Sequence, residues 1–160
     1  MAKKAAGTPA TVLLTAERIE HTLHPYEVSP DAPDYGALVA AFLGVEPARL
    51  FKTLIAEVDG RLVVGVVPVT GDLDLKAFAQ AAGGKRAVLA DRAAAERSSG
   101  YVRGGISPLG QRRRLPTVID DTAPDLDLIY VSAGRRGLQV SLAPADLIRL
   151  TSAVVAPIRS

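Results

Sequence analysis

Residues 51–67 read FKTLIAEVDGRLVVGVV, two β-rich runs set around Asp59-Gly60. An Asp-Gly pair between such runs is the strongest short-range hairpin signal, because a two-residue type I′ turn needs positive φ at both central positions. Along the first run side chains alternate, so Lys52 shares a face with Leu54, Ala56 and Val58, while Phe51, Thr53 and Ile55 point the other way. Both faces are largely apolar, which predicts a central strand buried on both sides with one cation near its entrance. Such a lysine has two readings. It is a side chain laying its stem over apolar surface at a strand end, or a cation at a pocket mouth that binds phosphate or steadies developing negative charge.

Towards the N-terminus, Val12, Ala16, Ile19 and Leu23 recur at helical spacing behind Thr8-Pro9. They predict an amphipathic opening helix that Pro25 closes, followed by a short strand-like run over 26–28. A second helix is expected over 35–43, with Gly44 as its left-handed stop. Towards the C-terminus the pattern predicts a helix over 72–82 ended by Gly83-Gly84, and a brief strand at 87–89. An Asp91-capped helix then runs through Ser98, strands follow at 117–119, 128–132 and 138–142, and a last helix runs from Pro144 to near Leu150. Short strands alternating with helices, one hairpin among them, argue for a mixed α+β domain with peripheral helices and against a purely parallel doubly wound sheet.

The whole chain, 160 residues, fits one domain at ~150 residues each. Residues 1–8 read as a flexible N-terminus. Hydrophobic residues at 48% and charged residues at 22% are those of a globular protein. With no cysteine, disulfides, thiolate metal sites and a cysteine nucleophile are excluded. Lys3 and Lys4 precede no long apolar stretch, so neither a signal peptide nor a membrane span is expected, and the reading is cytoplasmic.

Net charge is only +2, yet residues 97–119 hold five arginines, Arg97, Arg103, Arg112, Arg113 and Arg114, and no acid. Asp120, Asp121, Asp125 and Asp127 follow at once. A basic patch beside an acidic turn suits a local anion partner, although a solvated loop explains it as well. The two histidines, His21 and His24, sit three apart at the expected helix end without the intervening glutamate of a metalloprotease helix, and read as a polar terminus. No metal or cofactor is expected.

Between Gly105 and Gly110 the glycine spacing imitates a nucleotide P-loop, but Gln111 and Arg112 stand where its lysine and hydroxyl residue belong. Ser107 is a poor hydrolase serine, since Pro108 lacks the N–H recruited just after such a nucleophile. Glycines do let backbone amides approach a ligand, so Gly104 and Gly105 are candidates to receive a carbonyl oxygen or a phosphate. A tight turn needing positive φ accounts for one glycine of the pair more easily than for both.

Five linked motifs then carry a resemblance: Phe51-Lys-Thr-Leu54, Pro68-Val-Thr-Gly-Asp-Leu-Asp-Leu-Lys76, Arg97-Ser-Ser-Gly-Tyr-Val-Arg-Gly-Gly-Ile-Ser-Pro-Leu-Gly-Gln111, Leu115-Pro-Thr-Val-Ile-Asp120 and Tyr130-Val-Ser-Ala-Gly-Arg-Arg-Gly-Leu138. In this order they resemble the YbaK/EbsC family, whose free-standing Cys-tRNA(Pro) deacylases are related to the editing domain of bacterial prolyl-tRNA synthetases. The resemblance implies a single domain with a mixed, partly barrel-like sheet, and hydrolysis of the ester joining a mischarged amino acid to tRNA. It assigns the essential cation to Lys52 and the loop shaping the pocket to Gly104, Gly105, Ile106, Ser107 and Pro108. Tyr26, Tyr35, Thr53 and Ser132 fall at pocket-lining positions. Gln139 stands where relatives carry an aspartate that meets the substrate's ammonium. The implied partners are mischarged tRNA(Pro), contacted by the arginines, and prolyl-tRNA synthetase in a transient complex.

The inventory of residues agrees with a substrate-assisted reaction, because a cysteinyl ester carries its own thiol nucleophile and needs chiefly to be held folded back. Two other readings stay open. One is an editing deacylase of different specificity, such as Ala-tRNA(Pro), using water; the other is a tRNA- or synthetase-binding module without catalysis.

Overall fold

The computed structural model describes residues 7–160. The hairpin is formed as its sequence demands: β2 (Phe51–Val58) and β3 (Arg61–Pro68) pair antiparallel from Val58↔Arg61 to Phe51↔Pro68. Asp59 and Gly60 hold φ of +50° and +84°, and the Asp59 carboxylate accepts the N–H groups of Lys85 (2.9 Å) and Arg86 (3.1 Å), tying the turn to the chain entering β4 (Ala87–Leu89).

β2 and β3 lie inside a mixed five-stranded sheet ordered β4-β2-β3-β5-β8, where β5 is Thr117–Asp120 and β8 is Val154–Ala156. β4 joins antiparallel, whereas β3/β5 and β5/β8 are parallel. A second, antiparallel sheet has the order β1-β7-β6, from His21–Pro25, Leu138–Leu142 and Ile129–Arg135. A single parallel bridge, Leu50↔Tyr130, links the sheets. They face each other without closing into a barrel, so the mixed α+β expectation holds with two bridged sheets in place of one curved sheet.

The alternation read along β2 divides two cores. Phe51 and Ile55, with Val64 and Val66 of β3, face Val131, Val140 and Leu142 of the second sheet. Helices α1 (Pro9–Ala16) and α5 (Pro144–Thr151) add Leu14 and Leu147 to that core. Ala56 and Val58 face the opposite way, onto Phe78 of α3 (Leu75–Ala81) and Ile158. A smaller cluster sets Val39 and Ala40 of α2 (Tyr35–Leu43) on Tyr26 and Leu50. No helix among the described residues is long and apolar enough to cross a membrane.

Several expectations fail for tertiary reasons. The opening helix stops at Ala16, Arg18 turns the chain with φ +56°, and residues 21–25 pair with β7, so His21 and His24 lie on a strand. Residues 26–28 are not a strand, although the Tyr26 N–H still reaches Gly137 O (2.9 Å). β8 was not expected at all. Residues 1–6 of the expected flexible terminus lie outside the described residues, whereas Thr8 is buried, caps α1 through the Thr11 N–H (3.1 Å) and donates its hydroxyl to Ala133 O. α3 starts at Leu75, with the Asp74 carboxylate accepting the Ala77 N–H (3.1 Å), which leaves Asp72 in the preceding loop.

Asp120 is buried and belongs to β5, not to an acidic turn. Burial pushes its carboxyl up, but hydrogen bonds from the Thr122 hydroxyl and from the Ile158, Thr122 and Arg159 N–H groups outweigh it and hold the group below its ordinary value. Asp120 thereby fastens the C-terminal residues across the sheet edge.

Candidate active site

The start of β2, the N-terminal end of α2, the glycine loop and the β6–β7 hairpin enclose a cavity of about 120 Å³. Its polar lining comes from Tyr35, Lys52, Thr53, Gly104, Ser132 and Gln139; Val39, Leu50, Phe51, Val69 and Ile106 supply the apolar wall. Ser132 and Gln139 are opposite one another in the β6–β7 register. The volume is well under the ~300–1,000 Å³ of drug-sized pockets, so the space suits one small side chain. It adjoins an outer cavity of about 470 Å³, sharing Tyr35, Gly36, Lys52 and Val69 with it. Gly36 lets these walls meet, since a Cβ there would stand 2.6 Å from Val69 Cγ1.

Lys52 stands at the border of the two cavities. Its Nζ donates to Asp72 Oδ1 at 3.1 Å, with the lysine side chain 34% exposed and the aspartate 86%. A pair this open contributes little stability. Its consequence is placement: the ammonium is held at the mouth, which favours the pocket-cation reading over a stem merely covering apolar surface. Asp72 was not among the residues expected at the site; only the loop path between β3 and α3, fixed by the bridge Leu73↔Arg159 and the bond from Ser160 N–H to Asp72 O (2.8 Å), brings it there.

The two glycines of the loop do different things. Gly104 has φ +87° at the third position of a turn closed by Gly105 N–H on Val102 O (2.9 Å), where positive φ is required. Gly105 is needed for contact: a Cβ there would lie 2.7 Å from backbone atoms of Arg135 and Arg136. Its amide is therefore spent inside the turn, and the expectation that it receives a substrate oxygen is corrected. Gly104 and Ile106 line the cavity, and among the described residues their N–H groups have no partner. Those amides are backbone donors left free beside the cavity.

Ser107 and Pro108 do not reach the cavity. Ser107 is fully buried, its Oγ accepting the Leu109 N–H (3.2 Å) and its carbonyl accepting Gln111 Nε2 (2.9 Å), and Pro108 lines a separate space behind the loop. The loop's far end is anchored by the Tyr101 hydroxyl, which donates to Leu109 O at 2.6 Å; burial pushes that phenol up to about 12. Tyr26 also falls short of the lining. It stands behind Tyr35, the two hydroxyls 2.5 Å apart and the rings edge-on at 6.3 Å. Burial, then the Tyr26 hydroxyl, raise the Tyr35 phenol, so it stays protonated.

Among the described residues, Thr53 Oγ1 and Gln139 Oε1 are buried without a hydrogen-bond partner, and both residues belong to the cavity lining. Orphaned polar atoms are expensive in a folded protein and call for an explanation, of which a polar ligand in the cavity is one. Ser132 Oγ already accepts the Gly134 N–H (3.1 Å). No imidazole or carboxylate lines the inner cavity. His21 is tied to Ile19 O (2.7 Å), and His24, its imidazole held below its ordinary value by burial, to Ser141 Oγ (2.8 Å). Among the described residues no group of His, Asp and Glu could hold a metal ion.

All five expected arginines are exposed, but they are not equivalent. Arg114 Nη2 reaches Ser152 Oγ (2.9 Å), Arg112 packs over Gly100, and Arg97 lies on α4 (Arg92–Ser99). Arg103 alone immediately precedes a cavity-lining residue. Arg136, which sequence reading singled out only as part of a motif, donates Nε to Arg103 O at 2.8 Å and lies against Gly104.

A family model described as the aminoacyl-tRNA editing domain matches residues 29–150. A protein of Enterococcus faecalis, provisionally named Cys-tRNA(Pro)/Cys-tRNA(Cys) deacylase EbsC, is 36% identical over 161 residues, covering 99% of this chain and 98% of that protein. The crystal structure of a hypothetical protein, APE2540, superposes with a TM-score of 0.84 at 25% identity, covering 96% of this chain and all of that one. A protein provisionally described as a trans-editing enzyme for prolyl-tRNA synthetase shares the fold, with a TM-score of 0.81 at 20% identity and coverage of 96% and 98%.

Proposed function

The chain belongs to the aminoacyl-tRNA editing domain family, and from that membership we propose that it removes cysteine from mischarged tRNA(Pro), acting in trans as one editing domain. The carrying observation is the inner cavity: it has room for a small side chain and hydroxyls at its wall, with no imidazole or carboxylate beside them. A hydroxyl without a base is a weak nucleophile. Cysteine brings its own.

In this reading the cysteinyl group folds back inside the cavity. Its sulfur attacks the ester carbonyl and the C–S bond forms. The bond from the carbonyl carbon to the ribose oxygen then breaks, and the thiol proton passes to that departing oxygen. The product is a cyclic thioester, which water opens to free cysteine. Holding the thiol against the carbonyl supplies most of the advantage of an intramolecular reaction. In this reading the amides of Gly104 and Ile106 and the Lys52 ammonium offset the charge developing on the carbonyl oxygen, a role supported by all three residues lining the cavity. Thr53 Oγ1 and Gln139 Oε1 accept from the substrate's amino group, a neutral pair in place of a carboxylate.

The acceptor end lies across the outer cavity, with Arg97, Arg103, Arg112, Arg113 and Arg114 as exposed charges for its phosphates. Recognition by phosphate carries little sequence information. Choice of tRNA(Pro) then falls to a transient complex with prolyl-tRNA synthetase in the cytoplasm.

The test is release of cysteine, alanine and serine from tRNA(Pro) under single-turnover conditions. Cysteine should leave fastest, and Lys52→Ala should slow it by about 10²-fold, the size of losing one oxyanion donor. Equal rates for all three amino acids would replace the thiol mechanism with attack by water. Tight tRNA binding without any release would leave a binding module instead of an enzyme.

A further inference from the structure

The peptide groups leading into Gly104 are held at both ends of Arg103 by side chains of opposite charge. The Arg103 N–H donates to Glu96 Oε2 at 2.9 Å, and the Arg103 carbonyl accepts Arg136 Nε at 2.8 Å. Glu96 comes from α4 and is itself steadied by Arg92 Nε (3.2 Å), one helical turn earlier. Arg136 comes from the tight connection between β6 and β7, the same segment against whose backbone Gly105 packs. Two rigid elements of distant sequence thus grip one residue of an otherwise glycine-rich loop.

Such a loop has much conformational freedom to lose. A donor to a developing oxyanion must nevertheless stand within a few tenths of an ångström of its place. Gly104 follows the gripped residue directly, and its amide is one of the two unpaired donors at the cavity. We propose that Glu96 and Arg136 are positioning residues that act through the Arg103 backbone to set the Gly104 amide for the deacylation reaction. The proposal rests on the cavity being the reaction site. Neither side chain lines the inner cavity, so neither needs to touch substrate.

The competing role for Arg136 is a simple phosphate contact, since its side chain is exposed. The two roles separate by chemistry. Lysine keeps the charge but lacks a donor at the position of Nε on a planar fork, so it should satisfy a phosphate and fail to satisfy the Arg103 carbonyl.

The experiment uses the full chain carrying Arg136→Lys, Arg136→Met or Glu96→Ala. It reads kcat and KM for Cys-tRNA(Pro) at low and high salt, with amide hydrogen exchange over residues 102–107. The clamp predicts that kcat falls roughly tenfold in all three, the loss expected for one charge-assisted hydrogen bond. Exchange of the loop amides should quicken while helices and strands stay protected. Full kcat in Arg136→Lys, or a change confined to KM and its salt dependence, would overturn it in favour of a phosphate contact. Should the wild-type chain release no cysteine, the proposed reaction fails, and exchange alone decides the clamp: unchanged loop protection in Glu96→Ala and Arg136→Met overturns it.

Discussion

Replacing Gly105 by alanine should damage stability and turnover together, and the structure says by how much. The added Cβ would stand 2.7 Å from Arg135 C and Arg136 N and 2.8 Å from Arg135 Cα, where ordinary contact begins at 3.4 Å. The obstacles are backbone, so no side chain can swing aside, and loop and hairpin must part by about 0.7 Å to restore ordinary contact. Overpacking of this kind costs about 1–3 kcal/mol. For a chain of this size each kcal/mol lowers Tm by about 2–4 °C, so calorimetry should show a fall of roughly 2–12 °C. The displacement also moves the neighbouring Gly104 amide, and a misplacement near 1 Å costs on the order of 10² in rate. Single-turnover release of cysteine from tRNA(Pro) measures that loss in folded protein below the lowered Tm. An alanine variant with unchanged Tm and full turnover would refute the claim that Gly105 exists to admit the Arg135–Arg136 backbone.

Gln139→Leu should raise stability by about 1 kcal/mol, because a buried unpaired oxygen disappears, and should lower kcat/KM for the cysteinyl ester; denaturant unfolding beside kinetics checks both, and a variant losing stability contradicts the orphan reading. Asp120→Asn should cost roughly 2 kcal/mol at neutral pH through weakened hydrogen bonds to the C-terminal residues. Since the folded carboxyl lies below its ordinary value, that stability is present above the unfolded value of ~3.9 and lost as pH falls through the folded one; wild type and variant should therefore converge in acid, as urea midpoints against pH will show. Tyr35→Phe leaves the Tyr26 hydroxyl without its neighbour, and should raise KM a few-fold without removing any limb of the pH–rate profile below 10, because the Tyr35 phenol titrates above its usual value.

Much of the site was legible because its signals are local. Lys52 stands out in the sequence as one cation in an apolar strand, whereas Thr53, on the opposite face by alternation, came only with the family resemblance; both line the cavity. Ser132 and Gln139 also came only with the family resemblance, and the β6–β7 register explains why both line one cavity. Ser107 and Pro108 sit in the right loop but turn away from the cavity, a matter of backbone path that spacing does not encode. Asp72 and Arg136 were missed for the converse reason: each is an ordinary surface charge in sequence, and only contacts spanning 20 and 33 residues give it a place.

The same division runs through the fold. Asp59-Gly60, Gly44 and Asp91 determine the hairpin, the end of α2 and the start of α4 through backbone conformations and caps that need only a few neighbouring residues. Residues 21–25 and 154–156 carry no comparable local signal. They become strands because β7 and β5 offer them unpaired backbone groups at the sheet edges, and that offer exists only after the distant parts of the chain have come together.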